Sequence, residues 1–168
     1  YGTKAGLAPM HTWLPDGHGE APAPISALLS GVLLKLALCA VLRFYSLVNA
    51  SPVARGGEFS STVLLSAGIL SLVISVPMIL KPNRFKRVLA YHSLEHMGII
   101  TLGIGIGGPL ALFGALLHAL NHAITKALMF LSHGYITRVH GEAARARGVV
   151  FDETALTGVY KTMPVTAA

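Results

Sequence analysis

Long apolar segments dominate the hydrophobic pattern of the chain, and short polar, glycine-containing or proline-containing stretches separate them. A helix that crosses a bilayer needs about 20 mostly apolar residues. The pattern predicts transmembrane helices over residues 25–47, 62–80, 88–106 and 110–136. The last segment is longer than the hydrocarbon thickness requires, so we expect it to tilt or to contain an internal break.

The connecting segments complete the predicted organisation. Residues 1–24 are expected to hold the end of a broken transmembrane helix and then a cytoplasmic loop, because the chain from Tyr1 to Pro9 resembles the end of a helix. Residues 137–168 contain a polar stretch, from about His140 to Pro164, that glycines interrupt. This predicts a cytoplasmic loop with a short surface helix near Asp152, followed by the start of a further helix. The first residues resemble the end of a helix and the last residues resemble the start of another, so we interpret the sequence as a fragment of a longer protein.

Composition supports the membrane interpretation. Hydrophobic residues make up 53% of the chain and charged residues only 12%, about half the share in a soluble domain. This balance excludes an ordinary soluble domain and a disordered chain. Cys39 is the only cysteine, which excludes an internal disulfide, and its apolar neighbours predict a buried thiol. The predicted fold class is an all-α integral membrane protein, a polytopic helix bundle.

The basic residues predict the orientation of this bundle. They cluster in the loop 81–87 and in the segment 138–164, which an even number of predicted spans separates. Lysine and arginine are enriched in cytoplasmic loops, so both regions are expected to be cytoplasmic. The excess of basic over acidic residues therefore reflects membrane topology, and no nucleic-acid partner is expected.

Ionisable residues lie inside the apolar segments, where each charge costs at least about 2.5 kcal/mol. His118, His122 and Lys126 are four residues apart, which places them within about 80° on one helix face. His133 falls on the same stripe by the same arithmetic. Lys35 lies too deep in its segment for easy snorkelling, unlike Arg43 near the segment end, so we expect Lys35 to have a function.

A second polar patch lies on the third segment, where His92, Glu95 and His96 share one face. Imidazole takes up and releases protons near neutral pH, and a carboxylate beside it favours its charged form. Such groups, joined by water, are what proton movement through a low-dielectric slab requires. Histidines four residues apart on a helix also suit a metal, so a membrane metalloenzyme is an alternative, although a neighbouring lysine would repel the cation.

The motifs resemble a known family. The stretch Gly2–Asp16, His18, the segment Ala21–Gly31 and Lys35 resemble the antiporter-like subunits of complex I, energy-converting hydrogenases, formate hydrogenlyase and Mrp cation/proton antiporters. Ala90–Gly98 and His118–Leu131 are similar to later helices of the same fold. The sequence Ser93-Leu-Glu-His-Met-Gly-Ile-Ile100 looks most like the F-type subunit of hydrogenase-4.

The resemblance implies a fold and a role for individual residues. The family fold has roughly fourteen helices with two inverted repeats, each containing a broken helix, and this chain would be one piece of it. Lys4 matches the lysine of the first broken helix, whose glutamate partner is not in this chain. Lys35 matches a connecting lysine, and His96 matches a position on the central axis. The group His118, His122 and Lys126 matches the centre between the half-channels, and the exit residue would follow Ala168. His92 and Glu95 replace hydroxyl residues common in complex I, which favours the hydrogenase-like branch.

The expected function is therefore proton translocation in the membrane arm of a redox-driven complex. The expected pathway residues are Lys4, Lys35, His92, Glu95, His96, His118, His122 and Lys126. No cofactor, metal or redox active site is expected in this chain. Other membrane-arm subunits and a peripheral redox arm with Fe–S clusters and flavin or NiFe are the expected partners, in a prokaryotic inner membrane. An Mrp-type Na⁺/H⁺ antiporter subunit and a decayed gene piece remain alternatives.

Overall fold

The computed structural model describes residues 1–51, 56–81, 84–146 and 148, and it is helical, without strands, over these ranges. Short helices at the beginning are followed by long ones. In chain order they are α1 (Gly2–Ala5), α2 (Trp13–Glu20), α3 (Ala23–Leu28), a π-helical turn (Leu29–Leu33), α4 (Leu34–Ala50), α5 (Gly56–Leu80), α6 (Phe85–Ile106) and α7 (Pro109–Ala146).

Each predicted transmembrane segment lies within a helical element, although the helix ends differ. The helical run from Ala23 to Ala50 contains the first segment, and α5 begins before the second. Helix α7 continues without a break to Ala146, well beyond residue 136. The expected internal break is therefore not present in α7. The tilt of this helix and the residues at which each helix enters and leaves the bilayer stay predictions. The surface helix expected near Asp152 lies outside the described residues.

Length and composition single out two of these helices as able to cross a membrane. Within the described residues, Ala23–Ala50 and Glu58–Leu80 meet that criterion. Helices α6 and α7 are long enough, but their histidines, with Glu95 and Lys126, lower the mean hydropathy. The polar side chains that reduce the hydrophobic signal are the same ones that the sequence identifies as functional.

Helix α6 lies at the centre of the described bundle. It packs along α5 on one side, against α7 on another, and against α2 at its beginning, while α3 packs on α7 and α1 on α4. The α5–α6 contact is close because Gly68 and Gly98 face each other: a Cβ built on Gly68 would lie 2.9 Å from the carbonyl oxygen of Gly98. The core around α6 contains Leu14, Leu34, Leu38, Leu94, Met97, Ile100 and Ile104.

The segment before α3 is held against the long helices by polar contacts. Gly6 ends α1 with φ of 72°, and the amide of Ala8 donates to Oγ of Ser71 on α5 at 2.9 Å. Further on, Asp16 of α2 pairs with Arg87 of α6. The hydrogen bond and the negative charge of Asp16 raise the pKa of Arg87, so this ion pair is present at any physiological pH. These contacts fix α2 across the beginning of α6.

The thiol of Cys39 is exposed on the outer face of α4. The prediction of a buried thiol is therefore wrong. An apolar neighbourhood in a membrane protein indicates lipid or a neighbouring helix as readily as a protein core, so hydrophobic neighbours do not predict burial there.

Candidate functional site

The polar faces of α6 and α7 meet around one cavity. Its volume of about 320 Å³ leaves room for on the order of ten water molecules. Its lining consists mostly of basic and polar side chains: His92, His96, His118, Asn121, His122, Thr125, Lys126 and Met129. The two stripes predicted separately from the sequence therefore meet at a single site. His133, predicted on the same stripe, lies outside it and packs against the ring of Phe85.

Lys35 reaches this site from the neighbouring helix. Its Nζ donates to the carbonyl oxygen of Ser30 at 2.8 Å and is in hydrogen-bond contact with Nδ1 of His122. The π-helical turn Leu29–Leu33 ends two residues before Lys35. Such turns widen the helix and often occur at functional sites. Here the turn contains the carbonyl that holds the lysine ammonium.

His122 connects Lys35 to the cavity. The side chain is 4% exposed, and its Nε2 has no hydrogen-bond partner among the described residues. Because Nδ1 is engaged by Lys35, the tautomer with the proton on Nε2 is the one that fits a charged lysine. The imidazole therefore has one nitrogen at Lys35 and a second available for proton exchange.

His96 lies between two histidines of α7. Its ring centroid is 5.0 Å from that of His118 and 5.0 Å from that of His122. Nδ1 of His96 and Nε2 of His118 are 2.9 Å apart, so one donates and the other accepts. The site therefore contains a continuous series, in which each side chain is in hydrogen-bond or ring contact with the next: Lys35, His122, His96 and His118.

His92 and Glu95 form a second pair beside the cavity. Nδ1 of His92 lies 3.0 Å from Oε2 of Glu95, and both side chains are partly exposed. The ring of His92 is 6.4 Å from that of His96. The carboxylate therefore sits at the end of the imidazole series, where it can balance positive charge.

Lys126 is the most buried charged side chain of the site, at 3% exposure. Its Nζ donates to the carbonyl oxygen of Leu89 on α6 at 3.1 Å. Burying an ammonium without a carboxylate partner is costly, so the position of Lys126 is not explained by stability alone. A buried basic group beside a polar cavity is typical of ion pathways.

Lys4 is not part of this group. It lies on α1, is exposed, and has no hydrogen bond or ion pair within the described part of the chain. The structure brings together the other predicted pathway residues, and the assignment of Lys4 still depends on the resemblance alone.

Some residues of the site were not predicted from the sequence. Ser30 and Ser93 share a hydrogen bond of 3.0 Å between their hydroxyl groups, which ties the π-helical turn to α6. Asn121 and Thr125 line the cavity. The positions of these two residues could have been predicted from the helical period. They fall at about 300° and 340° around the helix axis relative to His118, beside the histidine stripe. No pattern in the sequence pairs Ser30 with Ser93.

Comparison with known proteins places the chain in a family. The family described as NADH:quinone oxidoreductase/Mrp antiporter, TM, matches residues 1–168. The chain belongs to this family. The resemblance inferred from the motifs is confirmed, as is the all-α membrane fold class.

Individual relatives support the same assignment. The chain is 48% identical over 139 residues to the hydrogenase-4 component F homolog of Methylacidiphilum infernorum, covering 83% of this chain and 29% of that protein. It is 33% identical over 174 residues to an NAD(P)H-quinone oxidoreductase chain 4 of Thermosynechococcus vestitus, covering 100% of this chain and 29% of that protein. The chain thus spans less than a third of the length of these curated relatives.

A solved structure has the same helical arrangement. It is that of the membrane-bound sulfane sulfur reductase, an archaeal respiratory membrane complex, with a TM-score of 0.73 at 30% identity. The match covers 80% of this chain and 27% of that chain. The arrangement of helices around the cavity therefore belongs to a fold found in a respiratory complex.

Proposed function

We propose that the chain contains the central relay of a subunit that translocates protons in a redox-driven membrane complex. The observation that carries this proposal is the contiguous series of Lys35, His122, His96 and His118 around one cavity. Each member can gain and lose a proton, and each lies within hydrogen-bond or ring contact of the next.

The geometry supports a stepwise transfer. The Lys35 ammonium passes a proton to Nδ1 of His122, and the proton on Nε2 of His122 leaves toward the cavity. His96 receives a proton there, through water where the rings do not touch directly, and its hydrogen bond to His118 carries the charge onward. Transfer through a ring requires the other nitrogen to release a proton, so each step leaves the tautomer exchanged. Glu95 balances the positive charge, and Lys4 acts at the uptake side.

The partners and the location are part of the same proposal. Relatives named as hydrogenase-4 and quinone oxidoreductase subunits support a role beside redox subunits, whose electron transfer drives the protons. Those partner subunits would carry Fe–S clusters with flavin or NiFe. We place the protein in a prokaryotic inner membrane, with residues 81–87 and 138–164 on the cytoplasmic side.

The chemistry of the site favours protons over the Na⁺ of the Mrp alternative. A hard cation needs several oxygen ligands, whereas the groups around the cavity are mainly imidazoles and an ammonium. Within the described residues, no three His, Cys, Asp or Glu side chains are arranged to hold a metal ion. The metalloenzyme alternative thus gains no support from the geometry.

Replacing Lys35 or Lys126 by alanine in the intact parent protein tests the function. We expect redox-driven proton uptake by membrane vesicles to fall by roughly tenfold or more, because each variant removes a side chain of the site that can carry a proton. Arg43→Ala is the matched control, since Arg43 is an exposed cation on the same helix as Lys35. Normal proton uptake in both lysine variants, with normal assembly on native gels, would refute the proposal.

A further inference from the structure

Two serine side chains connect the carbonyl groups that hold the two lysines of the site. Ser30 lies in the π-helical turn and Ser93 lies on α6, and both are fully buried. Their hydroxyl oxygens are 3.0 Å apart. We call these two hydroxyl groups the serine bridge. The proposed relay uses neither of them as a proton carrier.

One end of the serine bridge leads to Lys126. Oγ of Ser93 donates to the carbonyl oxygen of Leu89 at 3.0 Å, and Nζ of Lys126 donates to the same oxygen at 3.1 Å. This carbonyl lies inside α6, where it also accepts a backbone N–H of its own helix. The hydroxyl group and the ammonium therefore share what remains of its surface, and the hydroxyl limits the direction from which Lys126 approaches.

The other end of the serine bridge leads to Lys35. Because the Ser93 hydroxyl gives its only proton to the Leu89 carbonyl, its oxygen accepts the hydrogen bond from Ser30. The carbonyl oxygen of Ser30 accepts from Nζ of Lys35 at 2.8 Å. Anchoring the Ser30 side chain on α6 therefore fixes the residue whose carbonyl holds the Lys35 ammonium against His122.

A comparison on the same helix shows what distinguishes Ser93. Serine and threonine in helices can bond to the carbonyl four residues before them, which satisfies the hydroxyl group without any further role. Thr101 does this, since it is fully buried and its hydroxyl donates to the Met97 carbonyl at 2.7 Å. Ser93 makes the same bond to Leu89, but it also joins a second helix, and both ends of its hydrogen-bond series reach a lysine.

We propose that Ser93 is the positioning residue for both lysines, and that it holds Lys35 at His122 and Lys126 at the cavity. The proposal rests on the proposed function, in which both lysines carry protons. A lysine side chain is long and flexible, and proton transfer requires hydrogen-bond distance between donor and acceptor. A single hydroxyl group that fixes both carbonyl anchors keeps both ammonium groups within reach of their proton-transfer partners.

Proton uptake by the assembled complex of the parent protein tests this role. We expect Ser93→Ala to lower redox-driven uptake several-fold and Ser93→Thr to retain most of it, because threonine keeps the hydroxyl group. Thr101→Val is the matched control, since it removes a buried hydroxyl group from the same helix and leaves both lysine anchors in place. Wild-type uptake in assembled Ser93→Ala, or an equal loss in Thr101→Val, would overturn the proposal.

The double variant Ser30→Ala/Ser93→Ala tests whether the two hydroxyl groups act as one bridge. Because Ser93→Ala already breaks the bond between them, we expect the double variant to lose no more uptake than Ser93→Ala alone. Losses that multiply would reveal two independent contributions and would contradict a single bridge.

Magnetic resonance of the parent protein, labelled with ¹⁵N-histidine and ¹⁵N-lysine, follows both ends of the bridge without transport. The Nδ1 signal of His122 and the Nζ signal of Lys126 are assigned by their absence in His122→Gln and Lys126→Met. We expect both signals to shift in Ser93→Ala, only the His122 signal to shift in Ser30→Ala, and neither to shift in Thr101→Val. An unchanged signal of either group in Ser93→Ala would overturn the positioning of both lysines by one hydroxyl group.

The lysine variants separate this proposal from the proposed function. Loss of uptake in Lys35→Ala and Lys126→Ala with normal uptake in Ser93→Ala removes the role of the serine bridge and leaves the relay. Normal uptake in both lysine variants removes the proposed function, whereas the resonance shifts still decide whether Ser93 positions the lysines.

Discussion

At the residue scale, the site depends on the two nitrogens of each imidazole. His122 uses one nitrogen for Lys35 and leaves the other available, and His96 uses one for His118. An imidazole can therefore accept a proton from one neighbour and release one to another on the opposite side of the ring. Histidine, which also titrates near neutral pH, is therefore well suited to the inner positions of the relay.

The buried His18 predicts an acid sensitivity of the folded protein. Its pKa is about 4 when folded, against an ordinary value near 6.5, so the unfolded chain binds the proton first as the pH falls. Stability contributed by the neutral imidazole is lost below about pH 6.5, by about 2 kcal/mol between pH 7 and pH 5. Thermal unfolding of the purified complex at the two pH values measures this loss. His18→Gln should reduce the pH dependence, and an identical dependence in both proteins would contradict the assignment.

The hydroxyl pair Ser30–Ser93 predicts a role in positioning Lys35. Ser93→Ala leaves the Ser30 hydroxyl without its 3.0 Å partner next to the carbonyl that holds Lys35. We expect a loss of about 1 kcal/mol in stability and a several-fold drop in proton uptake. Ser75→Ala is the control, because the buried Ser75 hydroxyl donates to the Leu72 carbonyl of its own helix. Equal effects of the two substitutions on uptake would show that Ser93 has no special role.

At the element scale, close helix packing brings the polar faces together. Glycines let α5 and α6 approach at Gly68 and Gly98, and Gly31 of the π-helical turn lies against the backbone of Ala123 on α7. Small residues at helix contacts are typical of membrane bundles, where packing replaces the hydrophobic effect as the driving force. The distance between α4 and α7 that lets Lys35 reach His122 depends on such contacts.

The Gly68–Gly98 contact predicts that an added methyl group destabilises the bundle. A Cβ on Gly68 would lie 2.9 Å from the Gly98 carbonyl oxygen and 2.7 Å from Cγ of Leu102, so the helices must separate. We expect Gly68→Ala to cost about 1–3 kcal/mol in thermal unfolding of the purified parent protein. Gly114→Ala is the control, because a Cβ there meets nothing within 4 Å. Equal stability of both variants would exclude a tight contact at Gly68.

At the scale of the whole molecule, the proposed relay is expected to have a direction. The cavity lies between α6 and α7, while α2 lies across the beginning of α6, beside the loop 81–87 that is predicted to be cytoplasmic. Arg138 pairs with Glu142 on the extension of α7, and the hydrogen bond and charge of Glu142 raise the pKa of Arg138, which keeps this end permanently charged. Permanent charges at one end and titratable groups inside favour an oriented protein.

This orientation is testable by cysteine labelling. In a cysteine-free form of the parent protein, we expect Arg84→Cys and Glu142→Cys to react with a membrane-impermeant maleimide from the cytoplasmic side. Ser51→Cys, at the end of α4, should react from the opposite side. Labelling of all three positions from one side would contradict the predicted spans.

The pattern of apolar and polar residues predicts the four long helical segments and the stripe of histidines, because these follow from the 3.6-residue period and from the cost of charge in lipid. It does not predict α2, which lies where a loop was expected. It did not determine that Cys39 is exposed, that Lys4 lies apart from the cluster, or that α7 continues without a break. These depend on which helix packs against which face. The pairing of Lys35 with His122, of Ser30 with Ser93, and the burial of His18 under Phe130 were decided by tertiary structure alone. Each joins residues far apart in the chain, and a local pattern contains no information about the rotation and approach of a second helix.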